Sequence, residues 1–486
     1  MRHRSLATVA RCATVVALVT TPVLLAAPMA GAAEARTTTA GTAPQADFNK
    51  DGFADVAVSA PTGEAGGKAK AGYVAVVYGS ASGANTAHRQ VISQATEGVP
   101  GDPAASARFG SRTVARDLDG DGYTDLAVQT GGSPAITVLW GSANGLSGGT
   151  RLPAGDGDAF GTSIIAGGDF NGDGQADLVD QVNVRDSEDN ETAGLRVRFG
   201  PFTRDGAAAG SATVDTGKID RPTSLTAGDI TGDGKDDLVS THAFEEMSEP
   251  SLFWKGEANG LARTPVSLVH AAAATMGDVD KDGRADLIVR TVPGNVVENL
   301  PYDHGTVKVL YGTASGPSAT RTTVIDQNTA GVPGVNEDGD QFGASLSAGD
   351  VNGDGYADVA VGIPDEDLDS VKDAGSVVQL YGGPSGLSGT GAQAFTQDTA
   401  GVPGAAEAGD HFGAAVRLGD SDTDADGKAD LSAGAPGEDG AYTSSGAAWV
   451  LRGRADGLTT DGIVSFGPSG LGAPAADAAL GSDFPH

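Results

Sequence analysis

Short apolar runs alternate along the chain with polar, glycine-rich stretches, and this pattern predicts β-strands joined by turns. Typical runs lie at 55–58, 125–128, 286–289 and 358–361, each bounded by Gly, Pro, Asn or Asp. Runs of this length between turn residues are typical of a β-meander. No long segment has the 3.6-residue periodicity of an amphipathic helix. The pattern therefore predicts an all-β fold.

An acidic nine-residue pattern recurs seven times, each time at the start of one of these runs. The pattern is Asp-x-[Asp/Asn/Thr]-x-Asp-Gly-x-x-Asp. Its copies, loops 1 to 7, are separated by 49 to 72 residues and begin at Asp47, Asp117, Asp169, Asp229, Asp278, Asp350 and Asp422. Seven copies at such regular intervals are typical of a repeat architecture.

Each repeat has the length of one propeller blade. After the first apolar run, a second apolar strand often ends in an aromatic residue and glycine, as at Tyr78-Gly79. Phe-Gly precedes four loops, at 109–110, 160–161, 342–343 and 412–413. A unit of roughly 60 residues suits four short antiparallel strands, which form one blade. We therefore predict a seven-bladed β-propeller over residues 47–484, because a closed ring protects the sheet edges.

The C-terminal residues are expected to close this ring. Loop 1 has no Phe-Gly strand before it, whereas residues 479–484 resemble a displaced copy of that strand. We predict that this C-terminal strand completes the blade that begins at Asp47. Repeats 4 and 5 lack Phe-Gly, with Leu225 and Ala273 in the corresponding stretches. Their blades should be the least regular.

Residues 1–32 have the three-part pattern of a secretory signal peptide. Three arginines precede an apolar run at 13–27, and small residues end the segment at 30–32 or, alternatively, at 33–35. The alternative is a membrane anchor, but the run is shorter than the ~20 residues that a span needs. Residues 33–46 are rich in Ala, Thr and Gly and are predicted to form a flexible linker. We expect a secreted, extracellular protein with no membrane span in the mature chain.

The charge of the chain argues against two classes of partner. With 64 acidic and 31 basic residues, its formal net charge is −33. Nucleic acids and anionic membrane surfaces both require a basic face. The single cysteine allows no intramolecular disulfide. We expect a monomer that binds no nucleic acid.

The seven loops have the composition of a calcium site. Oxygen-bearing side chains stand at alternate positions, and position 6 is glycine, which permits the tight turn. Ca²⁺ takes 6–8 oxygen ligands, so Asp, Asn and backbone carbonyls suit it better than His or Cys. The loops are not EF-hands, because none has Glu at position 12. The alternative is a set of metal-free Asx turns, and it is strongest for loop 4, which has Thr231 at position 3.

These features resemble the FG-GAP repeat family, which includes the seven-bladed propeller of the integrin α-subunit head and secreted bacterial relatives. The second name-giving element, Gly-Ala-Pro, occurs at 434–436 and with one change at 59–61 and 362–364. The resemblance implies up to seven structural calcium ions, held by side chains at positions 1, 3, 5 and 9 and the carbonyl at position 7. The implied ligands are Asp47, Asn49, Asp51, Phe53 and Asp55; Asp117, Asp119, Asp121, Tyr123 and Asp125; Asp169, Asn171, Asp173, Gln175 and Asp177; Asp229, Thr231, Asp233, Lys235 and Asp237; Asp278, Asp280, Asp282, Arg284 and Asp286; Asp350, Asn352, Asp354, Tyr356 and Asp358; and Asp422, Asp424, Asp426, Lys428 and Asp430.

The number of carboxylates ranks the loops. Loops 2, 5 and 7 have four acids at positions 1, 3, 5 and 9 and are expected to bind calcium most tightly. Loop 4 is expected to be the weakest, because the Thr231 hydroxyl is a poorer ligand than a carboxylate or an amide.

The sequence shows no catalytic constellation outside the repeats, so we predict that the protein is not an enzyme. No histidine stands at metal-ligand spacing from another, and His411 is expected to be a turn or surface residue. Residues 145–149 match a nucleophile elbow, Gly-x-Ser-x-Gly, but they follow a turn that recurs in other repeats.

The sequence favours a calcium-loaded propeller that acts as a binding or adhesion module for an extracellular protein or glycan. The alternatives are a secreted polysaccharide-processing enzyme on the same scaffold and a structural envelope protein. Because loops on rigid scaffolds often carry binding, the non-repeating inserts are the candidate binding segments. They lie at 185–192, 244–250, 295–304 and 365–373.

Overall fold

A computed structural model of the chain describes residues 46–131, 133, 136–153, 164–185, 191–419 and 422–485. These residues belong to the compact unit Thr39–His486 and form an all-β propeller fold with a few short helices. The predicted signal peptide, the linker up to residue 45 and the Phe-Gly pair at 160–161 lie outside the described residues. Within the described ranges, no helix has the length and apolarity needed to cross a membrane.

Five separate blade sheets are built from three or four antiparallel strands each. They are β1 (Val56–Ala60), β2 (Tyr73–Tyr78) and β3 (Asn85–Ile92); β4 (Phe109–Arg116), β5 (Asp125–Thr130), β6 (Ile136–Trp140) and β7 (Ser147–Arg151); β8 (Ile165–Gly168), β9 (Asp177–Arg185), β10 (Glu191–Phe199) and β11 (Gly210–Lys218); β21 (Ser345–Gly349), β22 (Asp358–Ile363), β23 (Ser376–Tyr381) and β24 (Ser388–Phe395); and β25 (Ala415–Arg417), β26 (Leu431–Ala435), β27 (Ala447–Arg454) and β28 (Gly457–Phe466).

Repeats 4 and 5 share one seven-stranded sheet, so the prediction of seven separate blades is wrong. Its strands are β12 (Pro222–Gly228), β13 (Asp237–Phe244), β14 (Met247–Trp254), β17 (Val266–Gly277), β18 (Asp286–Thr291), β19 (Val307–Leu310) and β20 (Thr322–Ile325). The other short elements are a ribbon of β15 (Gly256–Glu257) and β16 (Gly260–Leu261), two 3₁₀ helices (Pro293–Asn295 and Val297–Tyr302) and one α-helical turn, α1 (Pro468–Leu471).

The fused sheet arises because β17 runs without a turn from one repeat into the next. Its first half pairs with β14 and its second half with β18. In a Phe-Gly repeat the glycine has a positive φ, for example +90° at Gly343. Ala273 stands in the corresponding stretch, and a residue with a Cβ rarely adopts that conformation. The expectation that repeats 4 and 5 would be the least regular is confirmed.

Neighbouring sheets pack face to face through aliphatic side chains. β5 and β6 are buried along their whole length, whereas half of the residues of the outer strand β3 are exposed. One core cluster joins Val76 of the first sheet to Val128 and Leu139 of the second. Another joins Val58 of the first sheet to Val450 of the last. Because the inner strands are covered on both sides, their burial does not alternate along the strand, and most of their side chains are apolar.

The C-terminal segment lies along β1. The Gly481 N–H donates to the Ser59 carbonyl at 3.1 Å, and the Ser59 N–H donates to the Asp483 carbonyl at 2.9 Å. Phe-Gly glycines make the equivalent bond in two other blades, Gly343 to Gly362 at 3.1 Å and Gly413 to Gly434 at 2.9 Å. In each case the acceptor stands twelve residues after the first Asp of the loop. These bonds support the predicted closure, which stays a prediction.

Candidate metal centres

All seven acidic loops share one hydrogen-bonded frame. The Asp at position 1 accepts the N–H of the position-6 glycine at 2.7–2.9 Å. The Asp at position 5 accepts the N–H of position 7 at 2.9–3.2 Å. The position-6 glycines have φ between +82° and +90°, a conformation that side chains with a Cβ rarely adopt. The backbone of each loop therefore organises its carboxylates without help from a ligand.

The Asp at position 9 accepts one hydrogen bond from its own loop and one from a glycine just after the second strand of the repeat. Asp55 accepts the Phe48 N–H at 2.8 Å and the Gly79 N–H at 3.0 Å. The other donor pairs are Leu118 and Gly141 for Asp125, Phe170 and Gly200 for Asp177, Thr231 and Gly256 for Asp237, Val279 and Gly312 for Asp286, Val351 and Gly382 for Asp358, and Thr423 and Gly453 for Asp430. The glycine also avoids a clash, because a Cβ on Gly79 would lie 2.4 Å from the Ala54 carbonyl oxygen.

Burial makes the charge on these position-9 carboxylates costly. Burial, reinforced by the neighbouring loop acids, raises their pKa although the backbone N–H groups oppose the shift. The raised pKa values are about 8 for Asp55 and Asp358, about 7 for Asp125, Asp177, Asp286 and Asp430, and about 6 for Asp237. A cation in the loop would remove this penalty.

Because the position-9 carboxylate accepts two backbone hydrogen bonds, we predict that replacing this residue has a large effect on stability. In the presence of a chelator, Asp358→Ala should lower the free energy of unfolding by about 2–4 kcal/mol, because two buried N–H groups lose their acceptor. Asp354→Ala, at the exposed position 5 of the same loop, should cost about 1 kcal/mol or less. Urea unfolding measures both. Equal losses would contradict the distinct role of position 9.

Three loops bring three carboxylates close enough to share one ion. In loops 2, 5 and 7, ligand atoms from three acids lie within 4.8 Å of one another. The groups are Asp117, Asp119 and Asp125; Asp278, Asp280 and Asp282; and Asp422, Asp424 and Asp426. These are the loops with four carboxylates. The other loops have Asn or Thr at position 3.

Unpaired oxygens at position 3 show that a cation would fit. The Asp424 side chain is only 8% exposed, and its Oδ1 has no hydrogen-bond partner. In loop 4 the Thr231 Oγ1 is likewise unpaired, in a residue 3% exposed. A buried oxygen without a partner costs free energy, and an ion among the loop carboxylates would supply one. The donors are all hard oxygens, which Ca²⁺ prefers.

Basic side chains from outside the motif contact four of the loops, and sequence reasoning missed them. The distances are 2.7 Å from Arg204 to both Asp119 and Asp121, 2.5 Å from Arg321 to Asp280, 2.9 Å from Arg454 to Asp426 and 3.0 Å from Lys255 to Asp233. Arg204 is 85 residues from Asp119, so no local pattern shows the contact. The number of carboxylates alone therefore does not rank the loops.

Three of the four inserts form one continuous surface. The Val297 N–H donates to the Glu246 carbonyl at 2.8 Å, which joins 244–250 to 295–304. The Gln341 N–H donates to the Asp303 carbonyl at 3.2 Å, and its side chain contacts Asp365 of the third insert. Of the fourth insert, residues 186–190 lie outside the described part of the chain.

His411 and the Gly-x-Ser-x-Gly segment, for which the sequence predicts turns, both lie next to a turn of the structure. His411 has a φ of +57°, and its Nδ1 lies 2.8 Å from Asp365 Oδ1, which raises the pKa of the imidazole. The Gly-x-Ser-x-Gly segment at 145–149 begins in the turn after β6 and continues into β7, so its serine lies at the start of a strand rather than before a helix. The segment therefore lacks the context of a nucleophile elbow.

Two glutamine–glutamate pairs occupy equivalent places in neighbouring repeats. The glutamine lies after the outer strand of one sheet (β20 or β24), and the glutamate lies after the second strand of the next sheet (β22 or β26). Gln327 Nε2 donates to Glu366 Oε2 at 2.7 Å, and Gln397 contacts Glu438 in the same way. Burial raises the pKa of both glutamates to about 7, and neighbouring acids add to the shift. The repeated sequence Thr-Ala-Gly-Val-Pro-Gly, at 329–334 and 399–404, is the signal that could have identified the pair.

These pairs predict a pH dependence of stability. The folded protein keeps the two carboxyls protonated to higher pH than the unfolded chain, where their pKa is near 4.5. Their stabilising contribution is therefore complete below about pH 4.5 and is lost as the pH rises through about 7. With calcium saturating, the double variant Glu366→Gln/Glu438→Gln should show a fall in melting temperature between pH 5 and 8 that is a few degrees smaller than wild type. Asp367→Asn, a neighbouring acid whose pKa is lowered by Lys372, should leave the wild-type slope; an unchanged slope in the double variant would contradict the assignment.

Comparison with known proteins identifies the repeats. The FG-GAP repeat model matches residues 41–77, 342–378 and 412–451, and an FG-GAP-like repeat model matches 117–179. Integrin alpha pat-2 of Caenorhabditis briggsae is 31% identical over 230 residues, which cover 44% of this chain and 17% of that protein. Phosphatidylinositol-glycan-specific phospholipase D of Bos taurus is 32% identical over 149 residues, 28% of this chain and 17% of that protein. The crystal structure of AofleA from Arthrobotrys oligospora aligns with 74% of this chain and 86% of that one, at a TM-score of 0.35 and 9% identity.

The chain therefore contains FG-GAP repeats and is similar to part of an integrin alpha chain. It spans about a sixth of the length of these curated relatives.

Proposed function

We propose that this protein is a secreted, calcium-binding β-propeller that holds an extracellular protein or glycan on its inserts. The observation that carries the proposal is the frame shared by all seven acidic loops, with unpaired oxygens at position 3 of loops 4 and 7. The similarity to integrin alpha chains supports a binding module rather than an enzyme.

Calcium has a structural role in this proposal. Up to seven ions would be held by the side chains at positions 1, 3, 5 and 9 and the carbonyl at position 7. The ion, when bound, supplies the positive charge that the clustered carboxylates lack. The chain's own residues do the rest, because position 9 already ties each loop to its blade through two backbone N–H groups.

The loops are also tied to one another. The Asp47 carbonyl of loop 1 accepts the Thr124 N–H of loop 2 at 3.1 Å. The Asp422 carbonyl of loop 7 accepts the Ala54 N–H of loop 1 at 3.0 Å. Together with the hydrogen bonds of the C-terminal segment to Ser59 of β1, these bonds support a ring that closes between the last repeat and the first.

The connected inserts provide the proposed binding surface. Phe244, Met247 and Tyr302 are large apolar residues exposed there. Exposed aromatic side chains at the edge of a rigid scaffold suit either a sugar ring or a protein hot spot. Monomeric proteins seldom leave several such residues exposed together without a function.

The test is retention of wall polysaccharides, extracellular glycans and proteins on the immobilised protein, with and without calcium. Retention should be lost on chelation. It should also be lost in Tyr302→Ala, a change of a residue that is 77% exposed, and this variant should keep the wild-type melting temperature. The matched control is Tyr442→Ala, an exposed tyrosine outside the connected inserts (56%), which should retain ligand. Release of a cleaved product would overturn the binding proposal in favour of an enzyme.

A further inference from the structure

Every loop with Asp at position 3 has an arginine from outside the motif on its carboxylates. Arg204 contacts loop 2 and Arg321 contacts loop 5. In loop 7, Arg452 and Arg454 lie 3.4 and 3.6 Å from Asp424, and Arg454 also lies 2.9 Å from Asp426. In the three loops with Asn at position 3, the Asn Nδ2 donates instead to the position-5 carboxylate at 2.9–3.0 Å. Among the described residues, no basic side chain forms an ion pair with those loops. The arginine thus accompanies the extra negative charge.

Arg204 shows the geometry most clearly. Its Nε lies 2.7 Å from Asp119 Oδ2 and its Nη2 lies 2.7 Å from Asp121 Oδ2, so one guanidinium spans positions 3 and 5. The Oδ1 atoms of both acids accept backbone N–H groups of the loop. An ion in loop 2 must therefore share both carboxylates with a fixed positive charge, and like charges at this range repel.

We propose that Arg204 in loop 2, Arg321 in loop 5, and Arg452 together with Arg454 in loop 7 set the calcium affinity of their loops. Each guanidinium offsets the carboxylate that Asp adds at position 3, lowers the affinity for Ca²⁺, and limits acid–acid repulsion when the metal is absent. The inference rests on the proposed calcium binding. It replaces the expectation that four carboxylates make these three loops the tightest.

Trp140 lies next to loop 2 and Trp254 lies next to loop 4, so each tryptophan can report calcium binding to a single loop. Gly141, next to Trp140, donates to Asp125 of loop 2 at 2.7 Å. Gly256, two residues after Trp254, donates to Asp237 of loop 4 at 2.8 Å. The chain has three tryptophans. In protein labelled with 5-fluorotryptophan, each ¹⁹F signal can therefore be assigned with a Trp→Phe variant, and the Trp140 signal reports loop 2.

Calcium titrated into the full chain should shift the Trp140 signal at about tenfold lower concentration in Arg204→Gln than in wild type, because the repulsive charge is gone. Asp119→Asn should require more calcium. The double variant Arg204→Gln/Asp119→Asn, which reproduces an Asn-type loop, should return to within about threefold of wild type. The Trp254 signal of loop 4 should not change in any of these variants. In chelator, Arg204→Gln should also melt at a lower temperature than wild type.

Arg263→Gln is the control, because this exposed arginine forms no ion pair with any described residue. An unchanged or weaker calcium affinity in Arg204→Gln would overturn the inference while leaving calcium binding intact. If no tryptophan signal of folded wild-type protein responds to calcium, the proposed calcium binding itself fails.

Discussion

Deleting residues 477–486 should lower the melting temperature by about 10 °C or more. Leu480 and Phe484 are fully buried in a cluster with Val58 of the first sheet, and burying each such side chain contributes about 1.5–3 kcal/mol. The deletion would also leave the Ser59 N–H and carbonyl without their partners, and an unpaired buried backbone group costs about 1–3 kcal/mol. Differential scanning calorimetry with calcium present measures the shift.

Shorter changes separate a packing role from a general effect of truncation. Deleting only His486, which leaves the buried Pro485 in place, should leave the melt unchanged. The point variants Leu480→Ala and Phe484→Ala should each lower it, since large-to-small changes in a core cost about 2–5 kcal/mol. If the long deletion melts like wild type, the C-terminal segment does not close the ring.

Removing calcium should have an effect of similar size. A site with a Kd of ~10⁻⁴–10⁻³ M contributes about 1.4–2.7 kcal/mol at about 10 mM calcium, and several sites act together. Chelation should therefore lower the melting temperature by about 10 °C or more, and calcium should restore it. The loss should be larger at pH 8 than at pH 5, because burial raises the pKa of the position-9 carboxyls and protons partly replace the metal at low pH.

Magnesium is the matched control for calcium. Its smaller radius and reluctance to lose water make it a poor substitute in a site built from carboxylates and carbonyls, so it should restore little of the lost stability. A melting temperature that does not change with chelator, calcium or pH would reject the prediction of metal binding. The loops would then be Asx turns, held by the hydrogen bonds of their own backbone.

The repeat pattern determined most of the architecture from the sequence alone. Each acidic loop needs a glycine with positive φ at position 6 and a carboxylate at position 9, and these local requirements leave the same residues in every copy. Apolar runs of strand length then specify inner strands that are covered on both faces. The all-β propeller and the positions of the candidate ligands follow from this local chemistry.

The boundary between repeats 4 and 5 needed the tertiary structure. The absence of Phe-Gly indicated an irregularity, but only the pairing of β17 with both β14 and β18 shows that two repeats fuse into one sheet. Strand pairing is decided by contacts between segments far apart in sequence, so a short pattern cannot specify it.

The charge around the loops also depends on tertiary contacts. The sequence determined which oxygens each loop offers, because they lie within nine residues of one another. Only the fold decided that Arg204 reaches Asp119 across 85 residues and that Gln327 meets Glu366. Long side chains on neighbouring blades meet through sheet packing, whereas a nine-residue turn is organised by its own backbone. The sequence thus determined the identity of the candidate ligands, and the tertiary structure decided which basic side chains balance their charge.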